Sequence, residues 1–337
     1  MLLKRLSEAD GVSGNERAVG EILRQHLAKD SDGLQVDRLG NLIAFRRGRR
    51  RGPRVMVAAH MDEVGLIMSD IEANGLLRFK PVGGIDERVL VGKAVRVGKE
   101  RVPGVIGAKP IHLQKPAERK KPFRRRDLFI DIGAADREKA REIVSVGDYV
   151  AFATAFGEFG TGRWKGKAFD DRVGCAILAE LLADRYEFDL YGVFTVQEEV
   201  GLRGSGVAAF QLQPDIALVL EATTCADTPD NEQLCQVTKL GQGPAVTIRD
   251  NSVIADKGLV HMLEQTARRL SIPYQFRQGG AGGNDAGRIA TTGPGVRVAT
   301  LSVPTRYIHA PVSIIDQQDY HNTRKLAQGF LAALGGV

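Results

Sequence analysis

Three kinds of hydrophobic pattern divide the 337-residue chain. Apolar positions recur at helical spacing over Leu2–Ala9 and Glu16–Leu27, on either side of a Gly11–Gly14 turn. The stretch LQVDRLGNLIAFRRG alternates and breaks at Gly40-Asn41, which predicts a hairpin. Continuous apolar runs end at His60 (RVMVAAH) and cover Leu190–Val196, Ile216–Leu220 and Val296–Val303. Such runs mark strands buried on both faces, as in a parallel sheet covered by helices. Helical spacing returns over Val173–Ala183, Lys257–Leu270 and Gln317–Leu334, with PYQFR as a short strand. From about Gly65 to Arg163 short β-branched runs are broken by Gly and Pro, and one short helix is predicted over Ala135–Ile143. Both flanks are α/β in character. The predicted architecture is therefore an α/β domain, residues 1–65 plus 164–337, interrupted by a small β-rich domain over residues 66–163. That insertion has few aromatics and looks too small to cover its own strand edges, which points to packing against another subunit.

Composition changes the picture little. Apolar content of 43% with 26% charged is ordinary for a soluble globular chain, and no apolar stretch is long enough to span a membrane. The first residues, MLLKRLSEADGVSGNE, are too charged for a signal peptide. Cys175, Cys225 and Cys235 are odd in number and lack zinc-site spacing, so free thiols in a reducing cytoplasm are expected. The net charge of +6 suggests nucleic acid until it is located. Arg46–Arg54 carries six basic residues, and Gln114–Asp127 seven basic and two acidic; the remainder has 34 basic against 39 acidic residues. Neither basic segment interleaves aromatics for base stacking, so solvated loops are favoured over RNA binding.

The candidate chemistry sits at strand ends. Glu198 and Glu199 follow Leu190–Val196 and precede Gly201, Gly204 and Gly206. Two carboxylates at the buried end of a strand repel and lose solvation unless a cation or shared proton relieves them. Taken alone, the pair is better read as a solvated loop that happens to hold two acids, since such pairs are common on surfaces. Other strands deliver matching groups: His60 and Asp62 after one, Glu221 closing another, His309 a short loop after a fourth. Asp170 and Asp171 stand at a predicted helix N-terminus, where the dipole favours anions. In an open α/β sheet, ligands bind outside the carboxyl ends of the strands, so these residues are expected to converge. Two imidazoles with three or more carboxylates and no thiolate describe a site for two divalent metals of the zinc, cobalt or manganese kind. His112, His261 and His321 are read as structural, and Asp171 as a helix cap. The glycine-rich stretch GGAGGNDAGRI matches neither a dinucleotide fingerprint nor a phosphate loop and is read as backbone freedom near the site. Adjacent strand residues face opposite ways, so Glu198 and Glu199 are expected to differ in role unless the backbone turns there.

Six segments, in order, resemble the tetrahedral aminopeptidases: AAHMDEVGLI, KAFDDRVGCA, VQEEVGLRGS, LEATTCAD, GGNDAGRI and PTRYIHAPVS. That family of two-metal cytosolic peptidases includes glutamyl aminopeptidases and proteins labelled cellulase M or endoglucanase. The resemblance runs from GVSGNE to the last helix. It implies a three-layer αβα zinc-peptidase-like catalytic domain with a PDZ-like insertion that builds dimers and dodecamers. It implies two divalent ions, zinc or cobalt with manganese as the alternative. His60, Asp170 and Glu221 would hold one; Asp170, Glu199 and His309 the other. Asp62 would orient His60, and Glu198 would be the general base. The implied substrates are short peptides cut at the N-terminal residue, in the cytoplasm, with no nucleic acid or membrane as partner. The sequence departs from the common pattern at Glu221, where many members have Asp, at Asn284 for a frequent Thr, and at Ala310-Pro311 for Ser-His. None of these removes a ligand or the base. Two rival readings are an endo-β-glucanase, whose carboxyls would have to flank a sugar at roughly 5–9.5 Å, and an inactive oligomeric scaffold.

Overall fold

The computed structural model describes residues 1–229, 237–279 and 282–336. Its centre is the strand Val55–His60, VMVAAH, buried at all six positions. Val55, Val57 and Ala59 join one core, while Met56 and Ala58 join a second core on the opposite face. Small and β-branched residues on both faces let helices cover the strand from either side. Leu190–Thr195 pairs with it in parallel on one side, and Ile216–Cys225 on the other. Arg297–Arg306 pairs in parallel with Ile216–Cys225 along its whole length. The hairpin Gly33–Val36 with Leu42–Arg46 forms one edge of this eleven-stranded sheet. Ser313–Asp316, Arg163–Gly166 and Gly157–Glu158 continue it antiparallel at the other edge.

The helices Phe169–Leu181, Lys257–Arg269 and Gln317–Leu334 contribute Phe169, Val173, Leu263 and Phe330 to the first core. The helices Arg203–Leu212 and Asp285–Ala290 contribute Ala208, Ala209 and Ile289 to the second. Short polar residues start three of them: Asp256 accepts from the Leu259 amide, Asn284 from Ala286, and Asp316 from Gln318 and Asp319. Neither Arg203–Leu212 nor Asp285–Ala290 was evident in the pattern, because glycines interrupt both. Among the described residues, no helix is long and apolar enough to cross a membrane.

The insertion departs from expectation in how its strand edges are met. Its strands close on one another in the order Gly65–Ile71, Leu77–Val82, Leu128–Asp131, Val102–Ala108, Ala94–Val97, Tyr149–Phe152 and back to the first. Leu66, Leu77, Val95, Ile106, Ile130 and Phe152 fill this small barrel. Closure satisfies edges that the pattern alone left open. The chain then joins the large sheet at Gly157–Glu158, which pairs with Arg163–Gly166, itself paired with Ser313–Asp316. Among the cysteines, Cys175 and Cys225 are free and buried; Cys235 lies outside the described residues, as do residues 280–281 of the glycine-rich stretch.

Candidate metal centre

Thr195 and His60 are register partners, so two parallel strands end side by side. The segments that leave them are tied together by Asp62, which is fully buried. Its carboxylate accepts the Glu198 amide at 3.0 Å and the Glu199 amide at 3.1 Å. It also lies 3.4 Å from His60 Nδ1, whose nearer partner is the Asp62 carbonyl at 3.1 Å. The chain turns at once: Gln197 adopts a left-handed φ of 57°, and Glu198 O accepts the amides of Gly201 and Leu202. The strict alternation of a strand is therefore broken before the glutamates, and the pair need not face opposite ways.

Glu221 stands within its strand rather than at its end. Ile216–Cys225 runs on because Arg297–Arg306 pairs with it through Cys225, whereas Val55–His60 pairs with it only as far as Val219. Glu221 thus lies past the end of one neighbour, beside His60. Asp170 and Asp171 open the helix Phe169–Leu181 with non-helical dihedrals and a cis peptide between them. Asp171 does cap the helix, accepting the Gly174 amide at 3.0 Å, and it also takes the His60 amide at 3.2 Å.

These elements bring five side chains into two groups that share Asp170. His60 Nε2 lies 3.1 Å from Asp170 Oδ1 and 3.4 Å from Glu221 Oε1. His309 Nε2 lies 3.2 Å from Asp170 Oδ2 and 3.2 Å from Glu199 Oε2. Within each group the ligand atoms are all within 4.8 Å of one another. His112, His261 and His321 belong to neither group. A cavity of about 400 Å³ opens beside the first group, walled by Thr223, Thr247, Asp250, Arg277, Asn284 and Ser302. A larger recess of about 670 Å³ on the barrel, beside Arg78, Lys121 and Phe123, shares no residue with it.

Charge tests whether cations fit. Burial, with Asp170 and other acids adding to it, pushes Glu199 and Glu221 up to about 8. Burial and the neighbouring Glu221, Asp285 and Glu199 hold Glu198 well above the carboxylate range. Burial opposes protonation of both histidines, yet the acids win: His60 is raised well above its ordinary value by Glu221, Asp170 and Asp62, and His309 to about 9 by Asp170 and Glu199. Asp170 stays low despite its burial because both imidazoles donate to it. Carboxylates that climb while imidazoles gather protons describe a centre short of positive charge. Nitrogen and oxygen donors without thiolate suit zinc, cobalt or manganese, so the residues fit divalent ions.

Three contributors escaped the sequence reading. Asn41, read only as a turn residue, accepts the Val196 amide and donates to Gly204 O, both at 3.0 Å. Glu16, which the pattern marks only as the start of a helical stretch, accepts the Gln197 amide. Asp285 is buried, accepts the Thr195 hydroxyl at 2.6 Å, and has no partner on Oδ1 among the described residues. Its place within a glycine-rich stretch gave no pattern to read.

A helix-covered sheet with two histidine–carboxylate groups gathered where its parallel strands Val55–His60 and Leu190–Thr195 end is the setting of a metallo-aminopeptidase. The M42 glutamyl aminopeptidase family model matches residues 40–326, and the chain belongs to that family. A putative aminopeptidase of Acetivibrio thermocellus is 39% identical over 332 residues, 96% of each chain. The crystal structure of a TET aminopeptidase from a marine-sediment Thaumarchaeota archaeon is 39% identical with a TM-score of 0.95, over 98% of this chain and 95% of that one. The TET1 peptidase of Pyrococcus horikoshii, which can assemble into a tetrahedron or a large octahedral shell, is 34% identical with a TM-score of 0.87, over 98% of both chains.

Proposed function

We propose that the protein removes N-terminal residues from short peptides using two divalent ions, zinc or cobalt with manganese as the alternative. His60, Asp170 and Glu221 would hold one ion; Asp170, Glu199 and His309 the other. The observation that carries this reading is Asp170: its two oxygens address the two histidines at 3.1 and 3.2 Å, the disposition of a bridging carboxylate. When bound, the ions supply the Lewis acidity that activates water and polarises the scissile carbonyl. Glu198 takes the proton from the attacking water and passes it to the leaving amine nitrogen. Asp62 holds Glu198 and Glu199 by their amides and leans on His60, so that base and ligand move as one unit. The cavity beside Glu221 receives the N-terminal side chain.

We further read the helix–sheet–helix arrangement as the αβα zinc-peptidase type and the barrel as a PDZ-like unit through which the chains associate, as dimers and on to a dodecamer. The similarity to the shell-forming Pyrococcus peptidase supports association. Because the barrel closes on itself, open strand edges no longer argue for it.

The test is hydrolysis of aminoacyl-p-nitroanilides and short peptides, before and after chelation and return of zinc, cobalt or manganese. An N-acetylated peptide and a soluble β-glucan run alongside. Metal-restored cleavage of free but not acetylated peptides is expected. Glucan cleavage without peptide cleavage, or inactivity with both ions bound, would overturn the reading. Light scattering of the intact chain tests association, which a monomer would refute.

A further inference from the structure

The turn that carries Glu198 and Glu199 is held at four successive amides by side chains from distant parts of the chain. The Val196 amide donates to Asn41 Oδ1 at 3.0 Å, and the Gln197 amide to Glu16 Oε1 at 3.1 Å. The Glu198 and Glu199 amides share the Asp62 carboxylate. The acceptors lie 136 to 181 residues away in sequence. Two of these anchors depend on the segment Gly11–Glu16. Ser13 Oγ donates to Asp62 Oδ2 at 2.6 Å, and the backbones of Gly11 and Ser13 exchange hydrogen bonds with Glu63. The Glu16 oxygen that receives Gln197 also receives the Gly14 amide at 2.7 Å, which fixes the carboxylate in place.

Glu16 is 7% exposed, a buried acid whose hydrogen-bond partners are backbone amides and not a cation. Burying a carboxylate costs solvation, which its amide bonds offset only in one geometry. The residue it grips is Gln197, at φ 57°, a conformation that a residue with a side chain keeps only when its surroundings hold it. That left-handed residue is what ends the alternation of the strand and redirects the chain just before the base.

We infer that Glu16 is a positioning residue for the peptidase reaction: through the Gln197 amide it fixes the turn that aims Glu198. The inference rests on the aminopeptidase reading above. Release of the Gln197 amide lets the turn relax by fractions of an ångström, which misplaces the base without removing it.

Glu16→Ala removes the acceptor, whereas Glu16→Gln keeps a carbonyl oxygen able to receive both amides. Kinetics on an aminoacyl-p-nitroanilide, metal analysis and hydrogen exchange of the peptide covering residues 196–204 are measured on wild type and both variants. In Glu16→Ala, kcat is expected to fall by about 10–10²-fold, the effect of small misplacement, with KM unchanged and both ions retained. Its turn amides exchange faster, and Glu16→Gln returns most of kcat and of the protection. Wild-type kcat in Glu16→Ala would overturn the inference. So would equal loss in Glu16→Gln, or loss of metal in step with activity, since each assigns the effect to charge or to folding. If the metal-loaded wild type cleaves no aminoacyl substrate, the aminopeptidase reading fails instead. The exchange comparison then still decides whether Glu16 holds the turn.

Discussion

Beside the candidate metal centre, Glu63 is buried between two cations, and the two halves of this cluster are predicted to tolerate mutation very differently. Glu63, Lys167 and Arg172 are each 2% exposed or less. Lys167 Nζ donates to both Glu63 oxygens, at 2.6 and 2.8 Å, and to Ala9 O at 2.7 Å. Arg172 Nη2 reaches Glu63 Oε1 at 3.3 Å, and its other nitrogens hold the carbonyls of Leu6, Ala9 and Met61. Burial pulls Lys167 down to about 8, with Glu63 opposing the fall, so the charge on Lys167 depends on that carboxylate. The next acid, Asp10, is 3.9 Å from Lys167 and is already engaged by Arg96 and Arg101. Glu63→Gln takes away the carboxylate that both cations share, stranding the Arg172 charge and leaving Lys167 to carry an unpaired charge or give up its proton, at a cost of about 3–5 kcal/mol. Lys167→Met leaves Arg172 and Glu63 matched one to one and loses charged hydrogen bonds worth about 1.5–3 kcal/mol. With an unfolding entropy of about 2.1 cal/mol/K per residue, the midpoint falls by roughly 4–7 °C for the first and 2–4 °C for the second. The double variant removes one of the stranded cations and should melt above Glu63→Gln alone. Calorimetry in chelator, which keeps metal binding out of the comparison, gives the order. Lys167→Met melting at or below Glu63→Gln, or a double variant no better than Glu63→Gln, would refute the charge accounting.

The adjacent glutamates should separate by metal analysis: Glu198→Gln keeps two ions per chain while the rate falls by about 10²–10⁴-fold, whereas Glu199→Gln loses one ion and partly recovers in excess metal. A Glu198→Gln protein that loses metal and recovers with it would reverse the two roles. Gly204→Ala places a methyl 2.5 Å from Val196 O, on backbone that cannot yield, and 2.3 Å from the Asn41 side-chain oxygen Oδ1. It should cost about 1–3 kcal/mol and lose most activity, and wild-type kinetics in that variant would sink the account of the turn. Asp319 is pushed up to about 6 by burial, against the Gly241 and Gly243 amides that it accepts. A free aspartate titrates near about 3.9, so the folded chain binds this proton more tightly than the unfolded one. That contribution is full below pH of about 4 and falls by about 3 kcal/mol as pH rises through 6. In urea melts at each pH, wild type should lose stability relative to Asp319→Asn over that window, and a constant difference would refute the assignment.

The sequence by itself determined the frame of this protein. Apolar runs buried on two faces can only be central strands, and Val55–His60, Leu190–Thr195, Ile216–Cys225 and Arg297–Arg306 are those strands. It also determined which side chains were candidates, because His60, Asp62, Glu198, Glu199, Glu221 and His309 follow or end those patterns and Asp170 opens a helix. Local pattern works there because burial acts residue by residue along one element. Only the tertiary structure decided how the candidates meet. Glu221 lies inside its strand because a neighbour on one side outlasts the neighbour on the other. Glu198 and Glu199 leave a strand that Gln197 has already turned, under the hold of Asn41, Glu16 and Asp62. The β-rich insertion closed into a barrel, and the glycine-rich stretch held a helix with Asp285 at its start. Those outcomes depend on hydrogen bonds between segments far apart in sequence, more than a hundred positions for the turn and more than eighty for the barrel's closure, and on which strand ends first. No periodicity encodes either, because each is set by the partner and not by the segment itself.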